Sequence, residues 1–308
     1  MSAPTTNLTY VKQPILLIPH RDHFTLEYLA SLGNGPILAC DFYAEGAENW
    51  TDVPGGYESG RVINIDHHAP HPRMWRHVSS TNLAMERLAE LGPESEDSLV
   101  VISHTDCDSV LSSGIMSGEL PPDPTFGAAA IAADHTGEEN EIADLLQSFA
   151  NQRDIQLSLR NLRLFMEGGA AALEEVALTA LADRRRKCLA AADLVARGEV
   201  KIDAHLAVGE FNEKIDGEFF VPLLADAWAI LLFSPRGCDK WDVKLWLGKS
   251  APEGASIHNT RMAEVDPNYA GRWNAGSNSR NGGTMIHPAE YKAAVLERLP
   301  LITGGNRR

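Results

Sequence analysis

The side chains with the most chemistry to offer fall in short bursts behind apolar runs. "VINIDHH" (62–68) ends a Val/Ile run in Asp66, His67 and His68, and "LVVISHTDCD" (99–108) ends another in His104, Asp106 and Asp108. "GPILACD" delivers Asp41, "FGAAAIAADH" delivers Asp134 and His135, and "PILLIPHRDH" delivers His20 and Asp22. Burying such groups without partners costs several kcal/mol. Carboxylates crowded at one place raise one another's pKa, so they stay ionised together only beside cations. Two divalent ions would answer that need. A mixed set of Asp oxygens and His nitrogens suits Mn²⁺, Fe²⁺, Co²⁺ or Zn²⁺, whereas an all-oxygen set would suit Mg²⁺ better. One Asp or His at a strand end is ordinarily structural. The coincidence of a His doublet and a His-x-Asp-x-Asp run in one chain is what argues for a site.

These groups can meet only if the runs before them are strands whose ends share an edge. "PILLIPH", "GPILACDF", "RVINIDHH" and "SLVVISHTD" read as four strands. Between them lie helical patterns over 24–33, closed by Gly33, and over 79–92, with Ser80 or Thr81 as N-cap and Gly92 as stop. "SVLSSGIMSG" reads as a helix, and "FGAAAIAAD" as either a helix or a strand. Strands alternating with helices imply an α/β domain with a mostly parallel sheet covered by helices, and such sheets place their sites at the carboxyl ends of strands. Residues 1–137 are therefore expected to form the metal-binding domain. Residues 138–200, rich in Ala and Leu with helical period, are expected to be a helical connector. Residues 201–308 are expected to be a smaller α+β domain, with strands in "FFVPLLA", "WAILLFS" and "WDVKLWLG" and a last helix opened by Pro288.

Bulk properties narrow the function. The 308 residues carry a net charge of −15, which argues against a long nucleic-acid partner, since phosphate backbones want a basic surface. The hydrophobic fraction of 44% supports a true core. The four cysteines form no CxxC pair, so neither a disulfide framework nor a zinc knuckle is expected. No leader-like apolar segment and no run of membrane-spanning length is seen, so a cytoplasmic protein without a membrane partner is expected. The sequence leaves a homodimer open.

Near the C-terminus, "GRWNAGSNSRNGGT" (271–284) places two arginines among four glycines. Glycine lets backbone approach a ligand closely, and a guanidinium clamps phosphate or carboxylate with forked hydrogen bonds. Arg272, Asn274, Ser277, Arg280, Gly282 and Gly283 are the candidate substrate contacts. Trp228, Trp241 and Trp246 lie on expected strands, where packing in a core is their ordinary role.

"IDHH" together with "SHTDCDS" resembles the DHH phosphoesterase superfamily. Its members hydrolyse phosphoesters with two metals, usually Mn²⁺, on a parallel-sheet domain, and a smaller C-terminal domain closes over the substrate. The resemblance implies metal ligation by His104, Asp106, Asp108, His67 and Asp134, with Asp41 as the bridge. "SSTNLAMERL" resembles the helix that follows the DHH motif, and 271–284 resembles the family's terminal glycine loop without its Gly-Gly-His form. The order departs from the family, because His-x-Asp-x-Asp follows the DHH motif here instead of preceding it. Either 104–108 has taken over the first-motif role, which its richer ligand set favours, or "IPHRDH" holds it and His20 and Asp22 are ligands or substrate contacts.

The expected chemistry is hydrolysis of a small, nucleotide-sized phosphorylated substrate by a water activated between two metals. Asp66 would orient a neighbour through a hydrogen bond. His68 or His135 would contact the phosphate or protonate the leaving oxygen. Two other classes stay open: a metal-dependent hydrolase of an amide-type bond, and a nucleotide-binding regulator without turnover.

Overall fold

The computed structural model describes residues 12–19, 21, 23–74 and 76–304. His20 and Asp22 lie outside the described residues. The chain divides into two compact units. The first contains residues 12–69, 78–131 and 141–177 of the described chain, and the second contains 70–77, 132–140 and 178–304.

In the first unit the chain runs β1 (Ile15–Leu17), α1 (Leu26–Ala30), β2 (Ile37–Cys40), β3 (Thr51–Val53), β4 (Gly56–Ser59), β5 (Val62–Ile65), α2 (Ser80–Leu91), β6 (Leu99–Ile102), α3 (Cys107–Met116), α4 (Pro124–Ile131), α5 (Glu141–Phe149) and α6 (Ile155–Gly168). The sheet order is β1-β6-β2-β5-β4-β3. β1, β6, β2 and β5 are mutually parallel, while β4 and β3 add an antiparallel hairpin. Every residue of β2 and β5 is buried. This is why they read as unbroken apolar runs and not as alternating ones: helices cover both faces of a parallel sheet. The hairpin falls in the Gly- and Glu-rich stretch that sequence patterning treats as a loop. Its strands are short and mostly polar, so no apolar alternation marks them.

In the second unit, α7 (Glu175–Ala196), which begins in the first, leads to β7 (Val200–Asp203), β8 (Leu206–Glu210), β9 (Ala229–Gly237), β10 (Lys240–Leu247), β11 (Ala270–Gly271), β12 (Ala275–Ser277) and α8 (Pro288–Arg298). These strands form a sheet ordered β11-β12-β10-β9-β8-β7, antiparallel except for β8 with β9. Tyr291, Val295 and Leu299 pack on one group of its residues and Phe219, Phe220 and Leu224 on another. Both units together make a mixed α/β architecture.

Several expectations change. "FFVPLLA" is a 3-10 turn (Gly217–Phe220) and the residues after it, not a strand, because its phenylalanines bury without a partner strand and Pro222 has no N–H to pair. "FGAAAIAAD" is α4 followed by a π-helical turn, Ala132–Thr136, so Asp134 does not end a strand. Ser79, not Ser80 or Thr81, caps α2, in a reciprocal capping box with Asn82. Residues 271–284, which resemble a glycine loop in composition, begin within the β11–β12 hairpin of residues 270–277. Of the 138–200 stretch, 141–177 lie in the first unit and 138–140 and 178–200 in the second. No helix among the described residues is long and apolar enough to cross a membrane.

Candidate metal centre

Parallel pairing of β6, β2 and β5 brings their carboxyl ends to one edge of the first unit's sheet. Asp41 follows β2 directly, Asp66 to His68 follow β5, and His104 to Asp108 follow β6. Asp41 is 1% exposed and has φ +58°. That left-handed backbone costs on the order of 1 kcal/mol in a non-glycine residue, and such strain clusters at functional sites. Its amide still donates to Ile65 O, so the β2–β5 ladder continues up to the residue where the chain turns.

Around Asp41 the donors converge. His67 Nε2 stands 3.7 Å from Asp41 Oδ1, and His104 Nε2 stands 3.3 Å from Asp41 Oδ2 and 3.2 Å from Asp106 Oδ2. Asp41, His104 and Asp106 offer ligand atoms all within 4.8 Å of one another, a span an ion can bridge, and His67 and His68 offer theirs to Asp41 within the same limit. His67 Nδ1 lies 2.8 Å from the carbonyl of Val78. A carbonyl only accepts, so Nδ1 carries a proton, and Nε2 is the nitrogen turned to the carboxylates, as in histidines that bind metals. Asp41 Oδ1 accepts from Ser80 Oγ at 2.9 Å, while the buried Oδ2 has His104 Nε2 beside it at 3.3 Å. A buried carboxylate facing imidazole nitrogens and a second carboxylate fits a cation.

The electrostatics agree. Burial, then Asp108 and Asp106, raise the Asp41 pKa well above the carboxylate range, against the lowering influence of His104. Burial would lower the pKa of His104, but Asp106 and Asp41 outweigh it and raise the imidazole well above its ordinary value. Burial would likewise raise Asp66, yet the charge and hydrogen bonds of His68 carry its net shift downward. Asp66 Oδ1 lies 2.6 Å from His68 Nδ1, and Oδ2 accepts from the His68 amide. Asp66 therefore fixes the ring of His68.

Asp108 behaves differently. Its Oδ1 accepts from the Thr81 amide at 2.7 Å and hydroxyl at 2.6 Å, and its Oδ2 accepts from the Ser80 amide at 2.7 Å. Both oxygens thus satisfy amides in the first turn of α2, where negative charge is favoured. His67 Nε2 is 3.6 Å from Oδ2. Asp106 caps α3 through Ser109 with Oδ1 and turns Oδ2 to His104.

In the second unit the π-helical turn meets the β11–β12 hairpin. Arg272 donates from Nη1 to Asp134 Oδ2 at 2.9 Å and from Nη2 to the Asp134 carbonyl at 2.7 Å. Asn274 Nδ2 donates to the same carbonyl and lies 3.1 Å from His135 Nδ1. Trp273 stacks on His135 at 5.7 Å between centroids. Arg272, expected to clamp a ligand, thus engages Asp134. Ser277 bonds Ser279, Arg280 is exposed, and Gly282 and Gly283 form left-handed turns, so these four do not join Arg272 and Asn274.

Sequence reasoning missed Ser80, whose hydroxyl holds Asp41, and Arg153, which donates to the carbonyls of Ser103 and Ile18 at the ends of β6 and β1. Ser80 stood in a recognised capping pattern. Arg153 had no local signal.

No protein-family model and no curated protein matches the chain. Among solved structures it is similar to the pGpG-specific phosphodiesterase PggH of Vibrio cholerae at 10% identity, over 68% of this chain and 82% of that one, with a TM-score of 0.42. It is similar to a manganese-bound exonuclease RecJ at 13% identity, over 91% and 78% of the two chains, with a TM-score of 0.36. The RecJ of Thermus thermophilus, in complex with Mg²⁺, is 14% identical over 75% of this chain and 35% of that one, with a TM-score of 0.32.

Proposed function

We propose that this protein is a metal-dependent phosphoesterase of DHH type acting on a small, nucleotide-sized phosphorylated substrate. The observation that carries the reading is the convergence of Asp41, His67, His104 and Asp106 at one sheet edge, around a buried Asp41 carboxylate. These four would hold the metal, and Mn²⁺ suits their mixed donors. Bound divalent cations would lower the pKa of water and stabilise charge on phosphoryl oxygens. With Nδ1 engaged by Val78, His67 would bind metal through Nε2. His68, locked by Asp66 and 28% exposed, would donate a proton to a leaving oxygen. The net charge of −15 favours a small anion over a polymer.

The test is a phosphate-release screen in Mn²⁺ over nucleotides, sugar phosphates and pyrophosphate, run beside a panel of amide substrates. Turnover of a phosphoester that chelation abolishes is expected. Turnover of amides alone would replace this reading with the amidohydrolase one, and tight nucleotide binding without product would make the protein a regulator.

A further inference from the structure

We infer that Asn64 is the positioning residue that sets Asp41 for metal binding. The inference rests on the proposed role of Asp41 as a ligand. Asn64 is the one polar residue of β5, Val-Ile-Asn-Ile, and is fully buried. A buried amide is tolerated only when its donors and acceptor are used. All three hydrogen bonds of the Asn64 side chain go to backbone that brackets Asp41. Nδ2 donates to Ala39 O at 3.2 Å and to Phe42 O at 2.9 Å, and Oδ1 accepts from Ala44 N at 3.0 Å.

Asp41 lies inside this bracket with φ +58°. Left to its own preference the backbone there would relax to negative φ. That would swing the carboxylate away from His67 and His104. The bracket also has little room to shift. β4 packs so closely on β5 that a Cβ built on Gly56 would fall 2.1 Å from the Asn64 carbonyl, and Gly56 itself has φ +153°. The same strand that ends in Asp66, His67 and His68 therefore holds the Asp of its neighbour β2. One short run, 64–68, thus carries His67 and His68 and holds the turn at Asp41.

Two variants test this. Asn64→Ser shortens the side chain out of reach. Asn64→Asp keeps its volume and its acceptor, loses both donors, and sets a carboxylate against two carbonyls. Mn²⁺ binding is followed by paramagnetic resonance of the free ion, folding by circular dichroism, and the Ala44 amide by hydrogen exchange in metal-free protein. Both variants should fold, weaken Mn²⁺ binding at least about tenfold, and speed Ala44 exchange at least about tenfold. In an Asp41→Asn background, Asn64→Ser should change the remaining Mn²⁺ affinity by less than about twofold, because residues acting through one another are not additive. The inference is overturned if folded variants bind Mn²⁺ within about twofold of the parent, or if the loss recurs in full in the Asp41→Asn background. Failure of both variants to fold would make Asn64 a residue of the fold alone and overturn it too. A parent protein that binds no Mn²⁺ would instead refute the metal reading, and Ala44 exchange would then decide by itself whether Asn64 holds the turn.

Discussion

Asp41→Asn should stabilise the protein in chelator and abolish its stabilisation by metal. The substitution suits the site sterically, because Asn also tolerates left-handed backbone and its Oδ1 can keep the Ser80 hydrogen bond. Without a cation the Asp41 charge is repelled by Asp106, whose ligand oxygen lies within 4.8 Å, by about 3.5 kcal/mol at an effective dielectric of about 20. His104 at 3.3 Å attracts it by about 5 kcal/mol on the same scale. Taking a carboxylate out of water costs several kcal/mol more, and Asp108 adds further repulsion. The balance opposes ionisation, in line with the raised pKa. A carboxyl whose folded pKa is raised binds its proton more tightly folded than unfolded. Stability is therefore full below the unfolded value near 3.9 and falls as pH rises toward the raised folded value, by about 1.4 kcal/mol per pH unit inside that window. Asp41→Asn removes this loss. A gain of about 1–3 kcal/mol at neutral pH is expected, which for a unit of this size shifts Tm by about 2–4 °C per kcal/mol. Thermal melts in EDTA at pH 5, 6 and 7 would show the gap widening with pH. Adding Mn²⁺ at a hundred times its Kd should stabilise the parent by about 2.7 kcal/mol and the variant far less, closing or reversing the gap. A variant less stable than the parent in EDTA, or a gap independent of pH, would refute the reasoning.

His67→Ala should leave circular dichroism intact yet cut turnover at least about a hundredfold and lower bound metal, since it removes a ligand without opening more than a small void; turnover within tenfold of the parent would remove His67 from the centre. Asp108→Asn should instead lower stability by about 1–3 kcal/mol, because an amide nitrogen would then face an α2 amide where a carboxylate oxygen accepted, and chemical denaturation would show it. Arg272→Ala should destabilise the protein by removing the guanidinium that pairs with the buried Asp134 carboxylate, and adding Asp134→Asn should restore part of the loss in a melting assay.

The sequence alone determined the strands that carry the site and the residues at their ends. "VINIDHH" and "GPILACD" were legible because fully buried parallel strands are unbroken apolar runs, so any Asp or His beside them stands out. Two helix starts, Ser79 capping α2 and Pro288 as the first residue of α8, lay in readable start signals, the first one residue earlier than read. Which oxygen faces which nitrogen was not legible. Asp106 and Asp108 are two residues apart in one motif. Only the helices show that one turns an oxygen to His104 while the other saturates the start of α2, because that choice depends on where a helix from residue 80 meets one from residue 107. Asp134 looked like another strand end until α4 passed into a π-helical turn and Arg272, 138 positions away, took its carboxylate. Local pattern records what a residue is next to along the chain. Pairings between residues far apart in the chain are fixed by packing, and only the tertiary structure decided them.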